Sequence, residues 1–182
     1  MISDSILNPF PWFALYVKHK HEKHVGRLLT SKAFDAFVPT YSRVHRNGCS
    51  FELPLFPGYV FCRMDRSRPL PVISTPGVFG RISNGPDCGA IPEDEIEGIK
   101  QLLAAGLLIQ PAAYFAPGRE ICLTSGPFKG IRGVVVDASH ERWLIVSIHL
   151  LQRSIAAKID RGSVLAWSQT SSQNISGAFL TP

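Results

Sequence analysis

The sequence predicts an α+β protein of two domains, and three observations carry that reading. Apolar β-forming runs alternate with two amphipathic helical stretches over residues 1–109. A break containing two prolines and small residues follows at 110–117. Residues 118–167 then hold only short β-rich runs separated by turn residues, the spacing of a small barrel that hides its sheet edges by closing.

Each element has its own signal. Trp12–Val17, "WFALYV", is apolar throughout and rich in β-formers, so it reads as a buried strand. In "HEKHVGRLLTSK", Val25, Leu28 and Leu29 recur at helical spacing among charged residues. "FDAFVPTYSRVHRNGCSFELP" reads as a hairpin turning at Asn47-Gly48, a pair that accepts the positive φ of a tight loop; Pro39 makes its first strand edge-like or bulged. Gly58–Met64, "GYVFCRM", alternates: Tyr59, Phe61 and Arg63 on one face, Val60, Cys62 and Met64 on the other. "GVFGRIS" is a further short strand. "IPEDEIEGIKQLLAAGL" is a helix, with Pro92 in its first turn and Glu93, Asp94 and Glu95 complementing its N-terminus. Ile96, Ile99, Leu102 and Leu103 form its apolar stripe, and Gly106 ends it. Residues 168–182 are polar and poor in charge, the composition of a disordered tail.

Composition excludes several classes. No apolar run reaches the roughly 18 residues of a membrane span, and the N-terminus lacks a secretory pattern, which points to a cytoplasmic protein. Cys49, Cys62, Cys88 and Cys122 form no C-x-x-C pair, so a zinc ribbon is not indicated. His19, His21, Glu22 and His24 cluster in "HKHEKH", but the H-E-x-x-H spacing is absent and Lys18, Lys20 and Lys23 repel a cation. No nucleophile elbow, P-loop or dinucleotide fingerprint occurs, so neither an active site nor a cofactor is expected. The net charge of +5 is unevenly spread: residues 1–68 hold ten Lys/Arg against five Asp/Glu, and residues 69–110 hold two against five. A basic first half suits phosphate or an acidic protein surface.

Two stretches ask for more than a fold. "PLFPGYVF", Pro54–Phe61, sets three rings among prolines and a glycine. "TSGPFKGIRGVVVD", Thr124–Asp137, places Gly126, Gly130 and Gly133 where a tight barrel corner needs positive φ or close backbone approach. The second stretch resembles the KOW motif. "WFALYVKHKHEKHVGRLL", "FVPTY", "PLFPGYVF" and "TPGVFGRI", in that order and spacing, resemble the N-terminal domain of the NusG family, and "VSIHLLQRSIAAKID" resembles the segment after its KOW motif. The resemblance covers about residues 12–167. "HEKH" and "SIHLLQRS" are similar to the specialised UpxY/LoaP-type antiterminators of that family.

The resemblance implies a monomeric transcription elongation factor that binds the clamp helices of the largest RNA polymerase subunit and suppresses pausing. It implies that Pro57-Gly58 turns the chain so that Phe56, Tyr59 and Phe61, with Tyr16 beside them, form the polymerase-binding face. Lys18, Lys20, His21, Lys23, Arg27, Arg43 and Arg46 are then expected near upstream or non-template DNA. Leu150, Leu151 and Arg153 are expected to meet a KOW-domain partner, either Rho or the ribosomal protein acting as NusE. The Thr-Arg pair with which one specialised branch reads DNA is replaced here by Thr75-Pro76, so that mode of recognition is not implied. The β-branched runs "GVVVD" and "LIVSI" favour strands over any helical form of the second domain. The alternative is a KOW-type RNA-binding or ribosome-associated module that does not touch polymerase.

Overall fold

A computed structural model describes residues 10–44, 48–83, 89–114, 121–124, 128–138, 141–159 and 167–169. The chain forms two compact units, Met1–Glu93 and Asp94–Pro182.

In the first unit the order is β1 (Trp12–Val17), α1 (Glu22–Ser31), β2 (Ala36–Phe37), β3 (Thr40–Val44), β4 (Ser50–Pro54), β5 (Tyr59–Arg63), α2 (Leu70–Ile73), β6 (Val78–Arg81) and β7 (Ala90–Ile91). The main sheet runs β2-β5-β1-β6 with every pair antiparallel, and β7 also pairs with β1. Because side chains alternate along a strand, each strand feeds two layers. Phe13, Leu15 and Val17 of β1 share one layer with Val60, Cys62 and Met64, and Val25 and Leu29 of α1 and Val72 of α2 pack there too. Val25 and Leu29 stand one helical turn apart, which places both on the buried stripe, whereas Leu28 is only half-buried. Gly26 allows α1 to lie close to the chain after β2: a Cβ there would sit 2.6 Å from Val38 Cγ2.

The opposite face of the sheet is covered towards the start of β1, where Trp12, Ala14 and Phe61 are fully buried. Phe37 lies 6.5 Å from Trp12 and 6.2 Å from Phe61 between ring centroids. Arg63 caps Trp12 at 4.6 Å and is held by ion pairs to Asp35, at 3.2 Å, and to Glu93. β3 and β4 form a separate two-stranded ribbon off this sheet. Gly48 has the positive φ, +81°, expected of the ribbon's turn; Asn47 lies outside the described residues.

The second unit holds α3 (Glu93–Ala104, its first residue counted with the first unit), β8 (Ile109–Ala112), β9 (Ile121–Leu123), β10 (Arg132–Ala138), β11 (Glu141–Ile148), a 3₁₀ turn (His149–Leu151), β12 (Arg153–Ile159) and β13 (Trp167–Gln169). Ile96, Ile99 and Leu102 of α3 are buried as the stripe predicts, and Gly106, at φ +66°, follows the helix end. The division into units falls before the expected boundary at residue 109. In keeping with that, α3 packs on strands of the second unit: a Cβ on Gly98 would meet Ile131 Cγ2 at 3.6 Å and Val146 Cγ1 at 3.9 Å.

The strand pairing of this half bears on three expectations. The six strands pair antiparallel in the order β13-β9-β10-β11-β12-β8, and among the described residues no pairing of β13 with β8 closes a barrel. The segment expected to be a linker at 110–117 begins as sheet, since Ile109–Ala112 pairs with β12 from Ala157 to Ser154. Pro111 is compatible with that strand because β8 lies at the end of the order, where a missing N–H breaks no ladder. The expected tail at 168–182 also begins as strand, because Trp167–Gln169 pairs with β9; residues 170–182 lie outside the described ones.

Candidate partner-binding face and basic helix

Two Pro-Gly turns frame the end of β1. Tyr59 N–H donates to Phe56 O at 3.1 Å across Pro57-Gly58, and Val78 N–H donates to Thr75 O at 3.0 Å across Pro76-Gly77. Gly58 has φ +84° and Gly77 φ +92°, so both are type II turns, with proline fixing the second residue and glycine taking the positive φ at the third. Each turn offers its glycine carbonyl to β1: Val17 N–H donates to Gly58 O at 2.9 Å, and Lys18 N–H to Gly77 O at 2.8 Å. Two consecutive amides therefore anchor two separate corners, and each corner launches a strand that carries an aromatic ring near its start.

Those rings meet over β1. Tyr16 is 47% exposed and stacks on Tyr59 at 5.9 Å and on Phe79 at 5.4 Å between centroids. Tyr59 is half-buried and Phe79 is 67% exposed. Sequence reasoning does not place Phe79 on this face. Its signal is the register: Tyr16 pairs with Gly80 and Val17 with Val78, so Phe79 is the extra residue of a β-bulge, the device that re-aims a side chain.

Phe56 and Phe61 are corrected from exposed partner-binding residues to core, with 1% and 0% exposure. Phe56 meets Phe61 edge-on at 5.4 Å, inside the layer that also holds Phe37 and Trp12. Alternation places Phe61 beside Tyr59 as expected. The neighbouring rings then cover one and leave the other partly open.

The basic residues divide likewise. Lys18, Lys20, Arg27 and Arg43 are exposed, and His21 is half-buried; Arg46 lies outside the described residues. Lys23 is exposed but paired with Glu52 of β4 at 2.6 Å, so its charge is already matched. Lys23, Arg27, Thr30, Val38 and Glu52 line an open groove of about 820 Å³. His21 and His24 meet edge-to-face at 6.3 Å, and among the described residues no three His, Cys, Asp or Glu stand close enough to hold a metal ion.

In the second unit Leu150 and Leu151 are half-buried in the 3₁₀ turn, Gln152 takes the left-handed conformation at φ +48°, and Arg153 is exposed. The turn is held at its start, where His149 N–H donates to Glu95 at 3.3 Å and the His149 ring lies edge-on to Tyr114 at 6.1 Å. Gly130 has φ +91°, and a Cβ on Gly133 would fall 2.4 Å from Ile145 O, so a side chain at either position would be strained; Gly126 lies outside the described residues.

Two titrating groups stand apart from these surfaces. Burial, with the Asp35 carboxylate adding to it, pushes the Cys62 thiol up to about 12. The Ser67 hydroxyl and then its backbone N–H hold the Asp65 carboxyl below its usual value.

The fold thus combines an α+β unit that carries an exposed aromatic face and a basic helix edge with a small antiparallel sheet. Residues 10–100 match the family model described as transcription termination factor NusG. The transcription termination/antitermination protein NusG of Yersinia pestis is 32% identical over 139 residues, covering 71% of this chain and 76% of that protein. Its Thermus thermophilus counterpart is 29% identical over 180 residues, covering 85% and 97%. A solved structure of domain interaction in Thermotoga maritima NusG overlaps with a TM-score of 0.48 at 21% identity, covering 81% and 92%. The chain belongs to the NusG family. Its role is that of a transcription factor of that family.

Proposed function

We propose that this protein is an elongation factor that binds the clamp helices of RNA polymerase through Tyr16, Tyr59 and Phe79, and suppresses pausing by favouring the closed clamp. The observation that carries the reading is the ring cluster itself. Three aromatic side chains, two of them exposed, are clustered on the sheet by paired turns, which is the form of a pre-organised seat for an apolar helix face. Lys18, Lys20, Arg27 and Arg43 add sequence-independent attraction for nearby DNA. Leu150, Leu151 and Arg153 are proposed to recruit Rho or the ribosomal protein acting as NusE. The "HEKH" and "SIHLLQRS" stretches support a role as a specialised antiterminator within the family.

The test is a pull-down with core polymerase beside a pausing assay. Wild type binds and shortens pauses. The double variant Tyr59→Ala with Phe79→Ala stays folded and weakens binding about 30-fold, the scale of losing one central anchor worth ~2 kcal/mol. Full activity of that folded variant overturns the assignment of the face, and RNA binding without any polymerase binding favours the RNA-module alternative.

A further inference from the structure

Glu22 is the first residue of α1, yet its carboxylate is not spent on solvent. It is 3% exposed, and Oε1 accepts a hydrogen bond from Gly58 N–H at 2.8 Å across 36 positions of chain. The donor is informative. In a type II turn the central peptide is flipped relative to type I, so the N–H of the third residue points away from the turn and finds no acceptor within it. Gly58 is that residue, and it is buried. A buried N–H without a partner costs the full desolvation of the group. Gly58 O is taken by Val17 N–H, so the peptide groups on both sides of Gly58 are pinned, one by a strand and one by a side chain from a helix.

We infer that Glu22 is a positioning residue: it locks the Phe56–Tyr59 turn in the type II form that sets Tyr59 against Tyr16, and thereby shapes the aromatic face. The geometry leaves little slack. A Cβ on Gly58 would touch Tyr16 Cε2 at 3.7 Å, so the turn backbone lies flush against that ring. Rotation of the Pro57–Gly58 peptide would displace Tyr59, the next residue, from its 5.9 Å stacking on Tyr16. The second turn, at Pro76-Gly77, has its own anchor at Lys18 and carries Phe79 independently. Loss of Glu22 is therefore expected to move one ring of three. The functional half of this inference rests on the aromatic face being the surface that meets polymerase; the structural half does not.

Three variants of the full chain separate the possibilities. Glu22→Gln keeps an oxygen at the acceptor position. Glu22→Ala removes it, and Glu22→Asp draws it back by one methylene while keeping the residue polar, which covers the case in which the alanine variant fails to fold. Amide hydrogen exchange at Gly58 and the nuclear Overhauser effect between the Tyr16 and Tyr59 rings report the turn directly. In Glu22→Ala and Glu22→Asp, Gly58 exchange is expected to rise about tenfold or more, the scale of a lost buried hydrogen bond, and the ring-to-ring signal to fade. Glu22→Gln is expected to restore both, which a general loss of stability would not produce. Retained Gly58 protection and ring-to-ring signal in folded Glu22→Asp overturn the inference. Polymerase binding is read in parallel with Tyr59→Ala as reference. If Tyr59→Ala weakens binding and Glu22→Asp with a displaced ring does not, the functional half fails. If neither weakens binding, the polymerase reading fails, and the Gly58 measurements still decide the role of Glu22.

Discussion

Cys62 and Cys49 show how one residue type takes two fates a few positions apart. Cys62 is buried in the α1-covered layer, where burial pushes its thiol up to about 12, while Cys49 is exposed beside the ribbon turn. The thiolate is the reactive form. A maleimide probe at pH 8 is therefore expected to label Cys49 in the native protein and to reach Cys62 only after unfolding; rapid native labelling of Cys62 would contradict its burial. The sign of the pH effect follows. Because folding raises this pKa above its ordinary 9.0, the contribution of the neutral thiol is complete below 9.0 and is lost as pH climbs towards about 12. Asp65 works in the opposite sense: folding lowers its pKa, so its contribution is present above the ordinary value of 3.8 and is lost as pH falls.

Among the elements, β5 holds Tyr59 and Phe61 on the same face, and they have unlike duties. Phe61 is enclosed by Phe37 and Phe56, whereas Tyr59 borders open surface. Phe61→Ala is expected to lower stability by about 3–5 kcal/mol, as large-to-small core changes do. Phe79→Ala, on the exposed bulge of β6, is expected to stay within about 0.5 kcal/mol of wild type. Chemical denaturation measures both, and equal losses would contradict this division of the rings. Alternation along β5 is readable in "GYVFCRM", because it is a property of the strand alone. Which ring is covered depends on Phe37 and Phe56, which come from other segments, so periodicity could not sort them. Phe79 escapes for a related reason: its aim comes from a one-residue register shift against β1, and register is a relation between strands.

At the scale of the whole molecule, charge must be read after pairing. Lys23 counts as one of the basic residues in sequence, but Glu52 of the ribbon already faces it at 2.6 Å. Lys18 and Arg27 are exposed. The proposed binding to an elongation complex is therefore expected to weaken with salt. Lys18→Ala with Arg27→Ala should flatten the slope of log K against log salt by roughly 0.7–0.9 for each phosphate left unneutralised. Lys23→Ala should change that slope far less. Titration of binding across salt concentrations measures this, and an equal effect of Lys23→Ala would show that the pair opens on binding. The division into units belongs to the same scale. The stripe of α3 is legible from its spacing. Its membership of the second unit is not, since a helix shows which face is apolar without naming the sheet that receives it.

The sequence by itself determined the α+β character, the positions of β1, α1, the β3–β4 ribbon, β5 and β6, the Pro57-Gly58 corner and the need for glycine at Gly130 and Gly133. Each of these is set by local sterics or by a period along one segment. Only the tertiary structure decided that Phe56 and Phe61 are core, that Phe79 joins Tyr16 and Tyr59, that Lys23 is matched, and that Glu22 reaches the turn at Gly58. Each of those is a meeting of segments distant in the chain, and burial is a property of what the rest of the molecule brings to a residue rather than of the residue's own kind.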